Sequence, residues 1–351
     1  MHTLPVKTGT RPLAQVQKLI PGLLLSAALA GVAILLGRSQ WLQHNGISAL
    51  TLAIVLGIVV GNTLYPRIAA GVGFSKQILL RAGIILYGLR LTFQDIAGVG
   101  LHGVLLDALM LASTFGLACL LGTRLFGLDR TTTLLIGAGS SICGAAAVMA
   151  TEPVVRGRAE QVAVAVSTVV VFGTLGIFLY PVLFQLDQDW GLLPRDPGTW
   201  GVYIGATVHE VAQVVAAGRS IGIEAADTAV IAKMVRVMML APFLILLSAW
   251  LARDKAHRRQ HSGATKITIP WFAVGFVLVA GLNSLVSLPP ALVSHVNDLD
   301  TFLLAMAMAG LGLGTHLSAI RRAGLKPLLL AALLFAWLVL GGGFLTRLAL
   351  A

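Results

Sequence analysis

The sequence predicts an all-α protein that crosses a lipid bilayer many times. Hydrophobic residues make up 57% of the 351 residues and charged residues only 11%, a balance that soluble domains do not have. Apolar runs that are long enough to cross a bilayer as helices recur from Leu19 to Leu350. The longest polar stretch is the short segment 253–266. We therefore expect residues 1–351 to form a single transmembrane domain, with residues 1–18 as a short cytoplasmic segment.

Charge and cysteine content exclude several classes of protein. The formal net charge is +11, but Lys and Arg lie mainly in short loops, where a positive-inside bias accounts for them. We therefore expect no nucleic-acid partner. Cys119 and Cys143 lie in different apolar segments, so the sequence predicts neither a disulfide framework nor a zinc site. We expect no cofactor and no metal.

Nine apolar segments have the length of a full span, and two more have polar centres. A transmembrane helix needs about 20 apolar residues. The two segments with polar centres are 132–151 and 199–218. The nine full-span candidates are 19–37, 47–65, 76–93, 97–121, 160–184, 227–251, 268–288, 300–319 and 327–349.

Loop charges favour broken or re-entrant structure for the two polar-centred segments. If both crossed the bilayer, giving eleven full spans, Arg156 and Arg158 would face outside and the acidic loop 185–198 would face inside. Both placements oppose the positive-inside rule. As re-entrant hairpins, the segments leave the basic loops, including 66–76, in the cytoplasm with the N-terminus. The hairpin tips are predicted near 140–144 and 208–210.

Weak internal repeats accompany this topology. In the predicted topology the matched segments run in opposite directions, as in the inverted repeats of secondary transporters. Chance similarity between helices that draw on few residue types remains the alternative. Gly88-Leu89, Ile96, Gly100-Leu101 and Leu105 recur as Gly312-Leu313, Ile320, Gly324-Leu325 and Leu329, and Asn62 recurs as Asn283.

The first predicted tip combines Ser140, Ser141, Cys143 and Gly144. Two hydroxyls, a thiol and freed backbone N–H groups can donate hydrogen bonds to an anion, and helix N-termini add positive partial charge. These residues are therefore candidate substrate-binding residues. The alternative is that small side chains simply permit close helix packing.

The second predicted tip contains His209 and Glu210, with Gln213 one turn later. Ionisable residues at membrane depth are costly and are usually retained for function. We interpret His209 and Gln213 as candidate substrate-binding residues, and His209 with Glu210 as an ion-coupling pair that exchanges a proton. A buried polar cluster that satisfies its own hydrogen bonds is the alternative. One His and one Glu are too few ligands for a metal site.

Other polar residues in the apolar segments are less clearly assigned. Arg90 is a candidate for binding the anion, although it could equally extend to the interface or pair with Asp95. Asn62 and Asn283 are candidate ion-coupling residues. Lys233 and Arg236 lie deep in segment 227–251 without an evident partner, whereas Asp107 and His316 are isolated polar residues that we interpret as structural.

The motifs resemble a known family. The pairing of IGAGSSICGAAAV at 136–148 with GATVHEVAQVVAAG at 205–218, together with GIILYGLRLTF at 83–93, is similar to the YeiH-like family of bacterial proteins described as sulfate exporters. The resemblance covers nearly the whole chain. It implies a multi-pass protein of the bacterial inner membrane that exports sulfate or a related anion.

The predicted function is secondary transport of a small inorganic or organic anion, such as sulfate or a sulfonate, by alternating access. A proton or sodium ion could drive it, and the bilayer and further copies of the chain are the expected partners. A membrane-embedded enzyme is the first rival, but it would need a nucleophile held by a base, which the sequence lacks. A channel is the second rival, and it would need a continuous polar stripe, whereas polarity here is concentrated at two tips. We therefore expect no enzymatic activity.

Overall fold

The computed structural model describes residues 12–39, 42, 48–98, 100–191, 193–194, 196–253, 271–286, 288–315 and 324–350. These ranges are mostly helical and contain no β-strand, as the sequence predicts. Two π-helical turns, Ser75–Leu79 and Leu121–Leu125, and a 3-10 turn, Gly88–Arg90, extend some of the helices. The α-helices are α1 (Pro12–Leu36), α2 (Ala49–Phe74), α3 (Leu80–Tyr87), α4 (Phe93–Gly98), α5 (Gly100–Leu120), α6 (Arg130–Ser141), α7 (Ala145–Val155), α8 (Ala159–Trp190), α9 (Pro197–Thr207), α10 (Val211–Ile221), α11 (Ile223–Met238), α12 (Leu240–Arg253), α13 (Trp271–Leu285), α14 (Pro290–Leu313) and α15 (Leu325–Leu350).

The predicted spans correspond to apolar helices. Seven helical stretches in the described ranges are long and apolar enough to cross a membrane. Two further predicted spans are represented by the shorter apolar helices Ala49–Gly61 and Val274–Leu285. The seven long stretches are Gln17–Leu36, Ala69–Arg90, Gly100–Leu125, Glu160–Asp187, Ile223–Leu251, Pro290–Leu313 and Leu325–Ala349.

The prediction of a loop at 66–76 was wrong, because the backbone of this stretch is helical. Helix α2 continues to Phe74 and passes directly into the π-helical turn Ser75–Leu79. Close packing accounts for this, since Gly71 contacts the backbone of Leu19 and Gly22 in α1 and leaves no room for a side chain. A Gly- and Ala-rich stretch that packs this tightly stays helical although Arg67 and Lys76 flank it.

The segment 130–155 folds back on itself. We call it hairpin A, and it consists of α6 and α7. A side chain at Gly139 would contact Val148, and one at Gly157 would contact Leu135, so the two arms run antiparallel. The chain enters and leaves hairpin A at the same end, which confirms the predicted re-entrant form.

The segment 197–221, here called hairpin B, also folds back. It consists of α9 and α10. Gly201 and Gly205 of α9 pack along α11 beside Ala225 and Ala229, whereas Gly218 of α10 packs against Ala226. The beginning of α9 and the end of α10 therefore lie at the same level of α11, which confirms the second re-entrant segment.

Helix α8 separates the open ends of the two hairpins. At its beginning, Gln161 Nε2 donates a hydrogen bond to Asp129 Oδ1, which also caps α6. Hairpin B begins only after α8 has ended at Trp190. At 1.5 Å per residue, the 32 residues of α8 span about 48 Å. The hairpins therefore enter from opposite ends of α8, and both approach its middle, where Val169 lies beside Gly139 and Gly173 beside Gln213.

The remaining helices pack in a reciprocal pattern that supports the inverted repeat. Gly88, which follows α3, packs against α13 at 276–280, and Gly312 of α14 packs against α2 at 54–58. These two contact regions lie 222 positions apart in the chain, close to the 224 positions that separate Gly88 from Gly312. The end of α3 thus packs on α13 in the same way as α14 packs on α2, which is the reciprocal contact expected of repeats related by a two-fold axis.

The helices form two groups. The scaffold group consists of α1, α2, α3, α13 and α14, which pack on one another. The core group consists of α5, hairpin A, α8, hairpin B, α11, α12 and α15. Helices α10 and α11 of the core group contact the scaffold group. Both hairpins therefore belong to one group, and the other group borders hairpin B.

Candidate functional site at the two hairpin tips

Hairpin A breaks at residues 142–144. Ile142 leaves the helical conformation, and Gly144 adopts φ 66° and ψ −134° before α7 begins at Ala145. A side chain is disfavoured at that positive φ, and a Cβ on Gly144 would overlap Cγ of Glu210. Glycine at this position thus allows the two hairpin tips to touch.

Hairpin B breaks at residues 208–210. Val208 ends α9 in an extended conformation, and Glu210, also extended, is the N-cap of α10. Glu210 and Gln213 form a capping box, in which the Glu210 N–H donates to Gln213 Oε1 at 3.1 Å. The local sequence therefore specifies where the second arm starts.

Glu210 links the two hairpins. Its Oε1 accepts a hydrogen bond of 3.2 Å from the backbone N–H of Ala145, the first residue of α7. The carboxylate of Glu210 thus lies at the positive N-terminal ends of both α7 and α10. The position that the sequence predicts for a bound anion is held by a carboxylate of the protein itself.

Lys233 of α11 joins the C-terminal ends of the first arms of both hairpins. Its Nζ donates hydrogen bonds of 2.6 Å to the carbonyl oxygens of Ile142 and Val208, and the residue is 0% exposed. These carbonyls belong to the ends of α6 and α9, where helix dipoles are negative. The buried ammonium thus stabilises both breaks at once.

Arg236, one turn after Lys233, binds the same two helix ends. Its Nε donates to the Ser141 carbonyl at 2.7 Å, and its Nη1 donates to the carbonyl of Ala206. Nη2 is buried and has no partner in the described ranges. The Nη2 amino group of the guanidinium therefore remains available beside the tips.

Two further titratable residues lie close to this cluster. His209 is 2% exposed, its ring centroid is 6.1 Å from that of Phe335, and its Nδ1 has no hydrogen-bond partner among the described residues. Asp107 of α5 is 0% exposed and lies within reach of the charges of Lys233 and Arg236. The centre therefore contains two cations, two carboxylates and one imidazole.

The structure brings most of the predicted site residues together. They lie on the two touching tips and are buried except for the partly buried Glu210. The Ser140 hydroxyl has no partner in the described part of the chain, whereas that of Ser141 donates to its own helix at Ala138. The predicted residues at the tips are Ser140, Ser141, Cys143, Gly144, His209, Glu210 and Gln213.

Arg90, Asn62 and Asn283 are not brought to the tips. Arg90 forms an ion pair of 2.9 Å with the buried Asp300 and donates to two further groups of α14. The side chain of Asp95, the partner that the sequence suggests, lies outside the described part of the structure. Asn283 donates to the carbonyl of Leu91 within the scaffold group. Asn62 lies in α2, and its side chain is outside the described part of the structure, as is His316.

A cavity separates the core and scaffold groups near the open end of hairpin B. Its volume is about 480 Å³. Arg219 of α10 has no carboxylate within ion-pair distance among the described residues, and its Nη2 lies 3.5 Å from the hydroxyl of Tyr87. The cavity thus presents polar side chains between the two groups of helices. Its polar lining residues are Ser48, Tyr87, Arg90, Arg219, Ser220, Asp300 and Thr301.

The residues that complete the site could not be assigned from sequence alone. Lys233 and Arg236 were noted for their depth, but no pattern revealed the four carbonyl groups that they bind. Their spacing of three residues, which places both on one face of α11, was the available signal. Asp107 was interpreted as an isolated residue because its neighbours come from distant segments. Within the described ranges, no group of three or more His, Cys, Asp or Glu side chains could hold a metal ion.

The fold and site define a polytopic α-helical membrane protein with inverted repeats and two re-entrant hairpins whose polar tips meet inside the protein. The chain belongs to the family described as "Conserved hypothetical protein 698", which it matches over residues 21–331. Its relatives are bacterial membrane proteins that carry the label UPF0324, which confirms the YeiH-like resemblance.

Three relatives illustrate this membership. A UPF0324 membrane protein of Pseudomonas aeruginosa is 98% identical over 355 residues, covering 100% of both chains. The inner membrane protein YeiH of Escherichia coli K12 is 60% identical over 329 residues, 92% of each chain. A UPF0324 membrane protein of Yersinia pestis is 57% identical over 352 residues, 97% of this chain and 96% of its own. No solved structure matches the chain significantly.

Proposed function

We propose that this protein is a secondary transporter of a small anion in the bacterial inner membrane. The observation that carries the proposal is the meeting of two re-entrant hairpins, from opposite ends of α8, at a buried centre that contains Lys233 and Arg236. Broken helices that meet at mid-depth are the usual substrate site of secondary transporters with inverted repeats. Two buried cations and two helix N-termini favour an anion as substrate.

Glu210 competes with the anion for the proposed site. Its carboxylate lies at the N-termini of α7 and α10, where an anionic substrate would also bind. Two negative groups cannot share this position without a large electrostatic cost. The substrate therefore binds when Glu210 moves away or takes a proton, and His209 is the adjacent group that can exchange that proton.

Movement of the core group against the scaffold group would provide alternating access. The cavity near the open end of hairpin B lies between the two groups, and Arg219 in its wall attracts anions from that side. Sulfate and sulfonates are our first candidate substrates, and export is the proposed direction.

The test is transport by the purified protein in proteoliposomes, measured with labelled sulfate, methanesulfonate, phosphate and chloride. We expect saturable uptake of at least one of them, which unlabelled anion of the same kind suppresses. Lys233→Gln should reduce this uptake at least tenfold, because it removes a buried cation and its hydrogen bonds to both tips. Lys326→Gln makes the same charge change at an exposed position of α15 and should have no effect. Absence of uptake for all four anions would contradict the proposal.

A further inference from the structure

The buried carboxylate of Asp107 has no partner, and the transport proposal leaves it unused. Neither of its oxygens has a hydrogen bond to any described residue, and the side chain is 0% exposed. The adjacent Leu106 and Met110 pack with Val202 of α9 and Leu338 of α15, so its surroundings are largely apolar. A bare carboxylate is expensive in such a place and needs a proton or a counter-charge.

Arg236 has a buried hydrogen-bond donor without a partner. Its Nη2 is buried and without a partner in the described ranges, while Nε and Nη1 bind backbone carbonyls. Helices α5 and α11 pack against each other, and Asp107 lies within reach of the Arg236 charge. Asp107 and Arg236 nevertheless form no ion pair, since their charged atoms lie more than 4.0 Å apart.

Besides Arg236, the one other cation in the described ranges whose charge acts on Asp107 is Lys233. From α11, the second cation is Lys233, whose Nζ already binds two carbonyls. From α9, the titratable group is Tyr203, whose hydroxyl donates to the Val339 carbonyl. The charged residues of α6 and α15 that the structure describes lie at the helix ends, and they are Arg130, Lys326 and Arg347.

We propose that Asp107 and Arg236 form a proton-controlled ion pair, in which a proton on Asp107 frees Arg236 to bind the transported anion. This inference rests on the proposed function. With a proton on Asp107, the unpartnered Nη2 of Arg236 donates to an oxygen of the anion. Without that proton, the ionised Asp107 accepts from the same N–H group and displaces the anion.

Charge balance at the buried centre couples the two ions. With a singly charged anion such as a sulfonate, Asp107, Arg236 and the anion have no net charge when the proton is also bound. The empty state, in which ionised Asp107 pairs with Arg236, has no net charge either. A state with only the proton leaves an uncompensated guanidinium, and a state with only the anion leaves two adjacent negative groups. Both are costly in a site that excludes water, so the proton on Asp107 travels with the anion. No covalent bond other than the O–H bond of Asp107 forms or breaks.

The test is the pH dependence of anion affinity in the purified full-length protein, with the probe being whichever of the four labelled anions the wild type transports. Each proton taken up on binding makes Kd rise about tenfold per pH unit. In Asp107→Asn, the slope of log Kd against pH is expected to fall by about one. Thr114→Val removes another buried, unpartnered hydrogen-bonding group from α5 and should leave the slope unchanged.

An unchanged slope in Asp107→Asn would overturn the inference, and so would a slope that falls only in Glu210→Gln. Infrared difference spectroscopy of the anion-free protein provides a second measurement that does not depend on a known substrate. In the anion-free protein, a protonated carboxyl band should appear only as the pH is lowered, because ionised Asp107 pairs with Arg236 at high pH, and this band should be absent from Asp107→Asn. Failure of all four anions to be transported contradicts the proposed function, whereas absence of this carboxyl band contradicts the role of Asp107.

Discussion

Glu210 of hairpin B accepts a hydrogen bond from the backbone N–H of Ala145, the residue with which the second arm of hairpin A begins. One hairpin thereby caps a helix of the other. Because the hairpins enter from opposite ends of α8, this contact joins parts of the chain that face opposite sides of the membrane. The predictions below test that arrangement.

The topology prediction is that Arg156 and Arg158 face the cytoplasm, whereas Asp187 and Asp189 face the periplasm. The reason is that hairpin A opens at the beginning of α8 and hairpin B opens after its end. Single cysteines at these positions, in a background without Cys119 and Cys143, are treated on intact cells with a thiol reagent that cannot cross the membrane.

We expect labelling at 189 and protection at 156 and 158 until the membrane is permeabilised, whereas a cysteine at 187 should react slowly because Asp187 is buried. Labelling at 156 with protection at 189 would invert the predicted orientation. Labelling at 156, 158 and 189 on intact cells would be incompatible with any arrangement in which α8 crosses the membrane.

Substitution of Ser141 tests whether the first tip binds substrate. Ser141 is 0% exposed, and its carbonyl accepts from Arg236. Ser141→Leu should abolish transport and leave the protein inserted, because leucine fills the tip but is compatible with a membrane. Ser167→Leu on α8 is the control and should retain transport. Normal uptake by Ser141→Leu would return the first tip to a packing role.

Gly144→Ala should destabilise the contact between the hairpins. The backbone at Gly144 has φ 66°, and a Cβ would overlap Glu210. Strain of this kind costs about 1–3 kcal/mol, so we expect a lower unfolding temperature and a loss of transport. Gly116→Ala is the matched control, because a Cβ there meets no atom within 4 Å and alanine favours a helix. Equal stability of both variants would show that the tips do not touch.

Glu210→Gln tests proton coupling at the tips. Glutamine has the same size and can still accept from Ala145, but it cannot titrate. We expect uptake driven by a pH gradient to fall at least tenfold, while exchange of labelled for unlabelled anion remains measurable, because exchange need not return an empty carrier. Both are measured in the same vesicles. His209→Gln should weaken both activities if the imidazole contacts the anion. Full gradient-driven uptake by Glu210→Gln would limit Glu210 to holding the hairpins together.

Local patterns of the sequence were sufficient to predict the elements of this fold. Hydropathy predicted the apolar helices, and the reversed loop charges around 152–159 and 185–198 predicted that two segments turn back. Both features depend on transfer of residues between water and lipid, which each segment experiences on its own. The failure at 66–76 has the opposite cause, since the contact of Gly71 with α1 keeps that stretch helical.

The sequence by itself determined that this is a polytopic membrane protein with two polar re-entrant segments and repeats at matching spacing. Only the tertiary structure decided that Lys233 and Arg236 bind the carbonyl ends of the first arms of both hairpins, that Arg90 pairs with Asp300, and that the charges of Lys233 and Arg236 act on Asp107. Lys233 lies 91 positions from Ile142, and Arg90 lies 210 positions from Asp300. Such partners are chosen by how helices pack, because a buried charge is stabilised by whichever opposite charge or dipole the packing brings within a few ångströms.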